Sequence, residues 1–293
     1  MNSIPMVEQT RHTDSTVTTA STCPYCGVGC GVEVSVTQTA HGAQIAVRGD
    51  AQHPSNFGRL CIKGSHLADT LGMETRVLEP MQGRKAARRR SSWDAALSQI
   101  AERFQDSIDQ YGADSVAFYV SGQLLTEDYY VVNKFVKGYL GTANIDTNSR
   151  LCMSSAVAAH KRSFGEDIVP ASYEDFEHAD MVVLVGSNTA WCHPVLYQRI
   201  MQAKSQNPDL FVVVVDPRFT STCEQADLHL PILPGQDVAL FNGLFQYLYK
   251  NNCVDHHFVE SYTEGLAALL DASKTEADFN ALVKRTGISE EKL

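Results

Sequence analysis

Apolar residues along this chain follow two different periods. Near the N-terminus, Val32, Val34 and Val36 alternate with polar residues. Ile45 and Val47 repeat the alternation after a glycine-bearing turn, so this region predicts a small antiparallel hairpin. Beyond residue 90 the period becomes helical, and helices alternate with short aliphatic strands. We predict strands over 116–121, 144–147, 181–187 and 210–216, and helices over 91–112, 127–140, 194–204 and 238–249, with another helix beginning just after residue 152.

This order of elements predicts the α/β fold class. Strands that alternate with helices form a mainly parallel sheet with helices on both faces, a doubly wound domain. Ser91 and Asp94 have capping-box spacing at the start of its first helix. From His256 onward we expect several short helices, and the last residues resemble the opening turn of another one, which suggests a truncated chain.

The predicted domains are three segments of unequal size. Residues 1–17 are polar and form a disordered tail, residues 18–76 form a small unit with the hairpin, and residues 77–293 form the α/β domain. A net charge of −10 argues against a nucleic-acid binder, which needs a clustered basic face. No apolar run is long enough to span a membrane. Eight cysteines without an export signal indicate reduced thiols or metal ligands in the cytoplasm.

Four of these cysteines have the spacing of metal ligands. Cys23, Cys26, Cys30 and Cys61 stand in the order C-x2-C-x3-C-x30-C, with glycines throughout the first loop. Three thiolates on one loop and a fourth from a distant segment can surround an iron–sulfur cluster. Structural zinc is the alternative, although zinc usually takes two short knuckles, and unligated thiols are a third possibility.

Polar and glycine-rich segments follow the predicted strands, where open α/β sheets bind their ligands. One segment, 148–153, places Cys152 near a helix N-terminus, which stabilises a thiolate, although a lone cysteine there is more often a packed core thiol. A second, 185–194, is a glycine-bearing turn that suits a phosphate or nucleotide and equally suits a plain strand-to-helix turn. In the third, Asp216 could accept hydrogen bonds from a ribose or guanine, or Asp216-Pro217 could simply begin a turn.

Together these segments resemble the N-terminal half of the molybdopterin-dependent oxidoreductases, the group that includes bacterial nitrate reductases and formate dehydrogenases. The motifs CPYCGVGC, GRLCIKG, NSRLCMSSA and VGSNTAWCHP, with the segment 216–237, carry the resemblance. Within the family, the similarity is strongest to the catalytic subunits of cytoplasmic assimilatory nitrate reductases. Family members run far beyond residue 293, and a chain of this length alone could be inactive.

The resemblance implies two cofactors and a set of site residues. Cys23, Cys26, Cys30 and Cys61 would hold a [4Fe–4S] cluster, and Cys152 would bind molybdenum, which two molybdopterin guanine dinucleotides also ligate. Lys63 would bridge cluster and pterin, Met153 would line the substrate pocket, and Arg150 would attract the anion or serve only as a structural cap. The positions that would contact the dinucleotides are Gln123, Asn148, Gly186, Ser187, Asn188, Asp216, Arg218, Gly235, Gln236 and Asp237.

The implied reaction is the two-electron reduction of nitrate to nitrite, as in nitrate assimilation. Its electrons would come from a partner protein: an NAD(P)H-dependent flavoprotein subunit, ferredoxin or flavodoxin. Formate dehydrogenase is the alternative within the family, but there the metal-binding cysteine is usually followed by His, whereas Met153 follows Cys152 here. A non-catalytic electron-transfer module that carries only the iron–sulfur cluster is the alternative from another class.

Overall fold

The computed structural model describes residues 15–40, 42–72, 76–122 and 124–293, without the side chains of Lys85, Ser149 and Arg150. The chain divides into two compact units, Met1–Ala171 and Ser172–Leu293. The boundary expected at residues 76/77 lies inside the first unit, and the domain division stays a prediction.

The first unit contains an antiparallel sheet, a short antiparallel ribbon and a pair of parallel strands. The antiparallel sheet has the order β1-β2-β3, the ribbon pairs β4 with β5, and β6 pairs in parallel with β7. The strands are β1 (Ser15–Thr22), β2 (Gly31–Thr39), β3 (Gly42–Gly49), β4 (Met81–Gln82), β5 (Arg89–Arg90), β6 (Phe118–Val120) and β7 (Ile145–Thr147). The helices are α1 (Ile62–Ser65), α2 (Trp93–Tyr111), α3 (Thr126–Asn133), α4 (Ser149–Cys152) and α5 (Ser154–Phe164), and Lys134–Leu140 continue α3 in π-helical geometry.

The antiparallel sheet contains the predicted hairpin and one strand that was not predicted. Strands β2 and β3 pair from Val32 opposite Gly49 outward, and the hairpin prediction is confirmed. Strand β1 pairs with β2 along its whole length. It begins at Ser15, so residues 15–17 are strand and the expectation of a tail there was wrong. All eight residues of β1 are exposed, so no alternation of apolar residues marks the strand.

The helices of the first unit follow the predicted pattern with one correction at a cap. The N-cap of α2 is Ser92, whose hydroxyl accepts a hydrogen bond from the Ala95 amide at 3.2 Å, so the prediction of a capping box at Ser91 was wrong. The predicted helix ending at Gly141 is present, and Gly141 closes it with a φ of 76°. Phe118 of β6 packs edge-on to Phe135, with ring centroids 5.9 Å apart.

The second unit contains a three-stranded parallel sheet in the order β10-β9-β8. Its strands are β8 (Met181–Val185), β9 (Phe211–Val215) and β10 (Leu228–Leu230). Its helices are α6 (Asp175–His178), α7 (Thr189–Cys192), α8 (Pro194–Gln206), α9 (Asp237–Lys250), α10 (His256–Tyr262), α11 (Leu266–Ala272) and α12 (Phe279–Thr286).

Strand β9 is the centre of the second unit's core. Its side chains alternate between two buried clusters, because successive residues of a strand point to opposite faces. Val212 packs with Ile200 of α8, whereas Val213 and Val215 pack with Leu240 of α9. Helices therefore pack on both faces of this sheet at β9, and the predicted α/β class is confirmed. Within the described ranges, no helix is long and apolar enough to cross a membrane.

Candidate cofactor and metal site

Three of the four N-terminal cysteines lie on one hairpin loop. Strand β1 ends at Thr22 and β2 begins at Gly31, so residues 23–30 form the connection between paired strands. The Cys23 amide donates to the Cys30 carbonyl at 2.9 Å and closes the base of the loop. Gly29 has a φ of 66°, a conformation that favours glycine and lets the backbone turn back toward Cys30. The loop therefore has a backbone closure of its own, between Cys23 and Cys30.

The fourth cysteine reaches this loop through the connection after β3. Cys61 is the N-cap residue of α1, and its carbonyl accepts a hydrogen bond from the Ser65 amide at 2.9 Å. The preceding segment packs directly on the sheet, since a Cβ at Gly49 would overlap the carbonyl group of Gly58. Asn56 lies in this segment and is fully buried.

The other three N-terminal thiols lie near enough to Cys30 to affect its ionisation. Burial and, after it, the neighbouring thiols of Cys23, Cys26 and Cys61 as like charges together raise the pKa of Cys30 to about 11. A cluster of thiols that disfavours its own ionisation fits a cationic iron–sulfur core, which stabilises thiolates as ligands. Among the described residues, no three His, Cys, Asp or Glu side chains stand close enough to hold a single metal ion.

A second thiol site lies at the carboxyl end of the parallel pair β6–β7. Cys152 is exposed at the end of α4, and its amide donates to the Asn148 carbonyl at 2.7 Å. Met153 follows as the N-cap residue of α5 and is 42% exposed. The loop after β6 lies against this segment, since a Cβ at Gly122 would overlap the Asn148 amide oxygen. The predicted helix after Cys152 is confirmed, whereas α4 was not predicted.

Of three further predicted site residues in this unit, only Lys63 has a described side chain. Lys63 lies on α1, two residues after Cys61, with an exposed side chain. Gln123 lies outside the described residues, and so does the side chain of Arg150.

In the second unit, two predicted segments meet at the carboxyl edge of the parallel sheet. The Gly186 amide donates to the Val215 carbonyl at 2.8 Å, which places the segment after β8 beside Asp216. The Ser187 and Thr189 hydroxyls lie 2.7 Å apart. This edge agrees with the expectation that ligands bind beyond the carboxyl ends of parallel strands.

A buried threonine fixes the loop after β8. The Thr222 hydroxyl donates to the Asn188 Oδ1 atom at 2.9 Å and accepts from the Ala190 amide at 3.1 Å. Since Oδ1 is engaged, the two N–H groups of the Asn188 amide remain to donate to an acceptor on a ligand. Sequence reasoning did not identify Thr222, because its partner lies 34 residues away and no local pattern marks the contact.

The remaining predicted contact residues lie after β9 and at the start of α9, and two of their side chains form hydrogen bonds within this unit. Asp216 is buried, and its Oδ1 atom accepts from the Arg218 amide at 2.8 Å in a local turn, while the Arg218 side chain is exposed. Gly235 has a φ of 78°. The Gln236 side-chain oxygen accepts from Arg285 at 3.2 Å, and Asp237 begins α9.

Two protein-family models match this chain, one over the cysteine region and one over the residues that follow it. The molybdopterin oxidoreductase Fe4S4 domain model matches residues 16–72, and the molybdopterin oxidoreductase model matches residues 76–292. The chain belongs to the molybdopterin oxidoreductase family. The [4Fe–4S] cluster and a molybdenum–molybdopterin cofactor are therefore the groups that this family fold serves, and the crowded thiols around Cys30 fit the former.

Relatives of this molybdopterin oxidoreductase chain include several nitrate reductases. A nitrate reductase of Klebsiella oxytoca is 56% identical over 240 residues, which are 82% of this chain and 27% of that protein. A nitrate reductase of Shewanella frigidimarina is 50% identical over 275 residues, 92% of this chain and 29% of that protein. An F420-dependent formate dehydrogenase alpha subunit of Methanococcus maripaludis is 35% identical over 86% of this chain and 36% of its own length. The chain thus spans about a third or less of these relatives.

A solved structure supports the fold. The acetylene hydratase from Pelobacter acetylenicus superposes with a TM-score of 0.79 and 24% sequence identity, over 93% of this chain and 37% of that one.

Proposed function

We propose that this chain is the N-terminal part of a nitrate reductase catalytic subunit that reduces nitrate to nitrite. The observation that carries the proposal is the presence, in one unit, of a four-thiol cluster site and an exposed thiol at Cys152 beyond the β6–β7 strand pair. Identities of 50% and 56% to nitrate reductases support this substrate over the alternatives.

Each site residue would have a defined task. Cys23, Cys26, Cys30 and Cys61 would hold the cluster, and the Cys152 thiolate would bind molybdenum. When bound, molybdenum supplies the two-electron chemistry that oxygen removal from nitrate requires. The exposed ammonium of Lys63 would lie on the electron path because it follows a cluster ligand by two residues. Met153, partly exposed beside Cys152, would line the substrate pocket, and Arg150 would attract the anion.

The finer form of the second cofactor is also a proposal. We infer two molybdopterin guanine dinucleotides as the molybdenum ligands. In the second unit, the donor amide of Asn188, the buried carboxylate of Asp216 and the left-handed turn at Gly235 suit a polar dinucleotide. Gly186, Ser187, Arg218, Gln236 and Asp237 would complete these contacts within the second unit. In the first unit, Gln123 and Asn148 would contact a dinucleotide.

Formate oxidation is the second candidate because a formate dehydrogenase is among the relatives. Met153 beside Cys152 favours nitrate, since the formate branch usually carries His at this position. A cluster-only electron-transfer module is disfavoured by the match of the second family model over residues 76–292.

We infer a cytoplasmic location and a protein electron donor. None of the eight cysteines, all of which lie within the described residues, forms a disulfide, which suits a reducing compartment. The donor would be an NAD(P)H-dependent flavoprotein subunit, ferredoxin or flavodoxin, and it would pass electrons to the cluster one at a time.

The test measures both reactions on one sample. The protein is expressed from its own gene, purified anaerobically and assayed with redox dyes for nitrate reduction and for formate oxidation. We expect nitrite to form in step with dye oxidation and no formate oxidation. Cys152→Ala should abolish nitrate reduction with the iron content intact, whereas Cys253→Ala, at an exposed thiol outside the site, should not change it. Formate oxidation without nitrate reduction, or an active Cys152→Ala variant, would contradict the proposal.

A further inference from the structure

We infer that Asn56 is a positioning residue that holds the fourth cluster ligand, Cys61, against the loop of the other three cysteines; this rests on the proposed cluster site. Asn56 is 0% exposed and lies in the segment between β3 and α1. Its side chain bonds two backbone segments that each carry a cluster cysteine, and no family motif used above assigns it a role.

The side-chain amide of Asn56 makes three hydrogen bonds. Its Oδ1 atom accepts from the Gly31 amide at 2.9 Å, while its Nδ2 group donates to the Gly31 carbonyl at 3.0 Å and to the Arg59 carbonyl at 2.8 Å. This amide orientation is fixed by its partners, since a flipped amide would place N–H against N–H and oxygen against oxygen. Both bonding groups of Asn56 are thus committed to the backbone.

The two partners stand next to cluster ligands. Gly31 directly follows Cys30, and Arg59 lies two residues before Cys61. The Arg59 amide also donates to the Asn56 carbonyl at 2.9 Å, so the approach to Cys61 is bonded through both the backbone and the side chain of Asn56. Asn56 therefore joins the approach to Cys61 to the residue that follows Cys30.

The loop of the other three cysteines has, besides the bonds from Asn56 to Gly31, a closure of its own. Their loop is closed by the bond from the Cys23 amide to the Cys30 carbonyl and is flanked by the β1–β2 pairing. Loss of the Asn56 amide should therefore release Cys61 selectively and leave a loop with three thiolates. A cluster with one weakened ligand loses the iron bound there.

The chemical readout is conversion from a four-iron to a three-iron cluster. One equivalent of ferricyanide removes one electron from a [4Fe–4S]2+ cluster, which releases one Fe2+ and leaves [3Fe–4S]+ with all four sulfides. The released Fe2+ is trapped by a chelator, and the three-iron cluster is identified by its electron paramagnetic resonance signal. Both quantities report on Cys61 and do not require substrate turnover.

Two variants and a matched control test the inference. Asn56→Asp keeps the size but places a carboxylate oxygen against two carbonyl oxygens, and Asn56→Ala removes all three bonds. We expect Fe2+ release to accelerate by roughly tenfold to a hundredfold, since each lost bond contributes a factor of about five and unsatisfied buried groups add to it. Asn144→Asp is the control, because the Asn144 side chain also donates to a backbone carbonyl, that of Asp114 at 3.0 Å, in the same unit but outside the cysteine segments. It should release iron at the unsubstituted rate.

A double-mutant cycle separates positioning from general destabilisation. In a Cys61→Ser background the fourth thiolate is already absent, so adding Asn56→Ala should not accelerate iron release further. An equal acceleration in both backgrounds would overturn the inference, as would an unchanged rate in both Asn56 variants. If neither variant folds, hydrogen exchange of the Gly31 amide is measured in the unsubstituted protein. We expect this amide to be protected from exchange and to lose that protection when the fourth iron is removed; unchanged protection would overturn the inference. Unsubstituted protein that binds no iron would instead contradict the proposed cluster site.

Discussion

Replacing Thr222 by valine should destabilise the second unit at the loop that follows β8. Valine has nearly the same shape as threonine but no hydroxyl, so the substitution removes the bond to Asn188 at 2.9 Å and the bond from the Ala190 amide at 3.1 Å. Thr222 is 0% exposed, so water cannot replace either bond without a rearrangement of the loop. Two hydrogen bonds at about 1 kcal/mol each, plus the cost of a poorly solvated amide, give a loss of about 2–3 kcal/mol in the free energy of unfolding.

The fluorescence of Trp191 offers an assay confined to this unit. The chain has two tryptophans, and Trp191 lies in α7, within three residues of Asn188. In a Trp93→Phe background, urea unfolding followed by Trp191 emission reports the stability of the second unit with and without Thr222→Val. Thr263→Val is the control, because the Thr263 hydroxyl is exposed and bonds only the Val259 carbonyl in its own helix end; it should cost less than about 0.5 kcal/mol. Equal losses for the two substitutions would refute the assignment of Thr222 as the residue that fixes this loop.

Two further predictions concern the packing of each unit. In the second unit, hydrogen bonds from Lys204 lower the pKa of Asp227. The ionised carboxylate therefore stabilises the fold at pH values above the ordinary carboxyl pKa, and this stabilisation is lost as the pH falls through the lowered pKa. Urea unfolding at neutral pH should therefore show Asp227→Asn to be less stable by about 1 kcal/mol, a modest loss because solvent screens this partly exposed pair. The difference should shrink as the pH falls through the lowered pKa, and a difference independent of pH would contradict this reading. In the first unit, Gly49→Ala should prevent stable folding of the cysteine region because the added Cβ overlaps the Gly58 carbonyl. Gly72→Ala should be tolerated, since its Cβ meets no atom of the described residues within 4 Å. Circular dichroism and iron content of the two variants compare them, and a folded, iron-bearing Gly49→Ala protein would contradict the close approach.

The sequence predicted the parallel strands β8 and β9 well because both are continuous apolar runs. In β9 the run reflects its environment, since Val212 to Val215 are buried between helices, whereas three of the five residues of β8 are exposed. The α2 helix was also predicted from its apolar face, although its cap was placed one residue early at Ser91 because two adjacent serines offer the same chemistry.

Apart from the short local helix α4, the missed features β1, Asn56 and Thr222 depend on contacts distant in sequence. Strand β1 has exposed residues on both faces and is held by pairing with β2, so its own residues carry no periodic signal. The same reason explains Asn56 and Thr222, whose partners lie 25 and 34 residues away. The cysteine spacing, in contrast, carried the cluster prediction directly, because ligand identity and order are written in the sequence.

The cluster site is the central claim, and the metal content of the protein tests it most directly. Iron, acid-labile sulfide, molybdenum and zinc are measured on one anaerobically purified sample, with Cys61→Ser as the comparison. We expect about four irons and four sulfides per chain, and a lower iron content in the Cys61→Ser protein. Zinc in place of iron, or an iron content unaffected by Cys61→Ser, would contradict it.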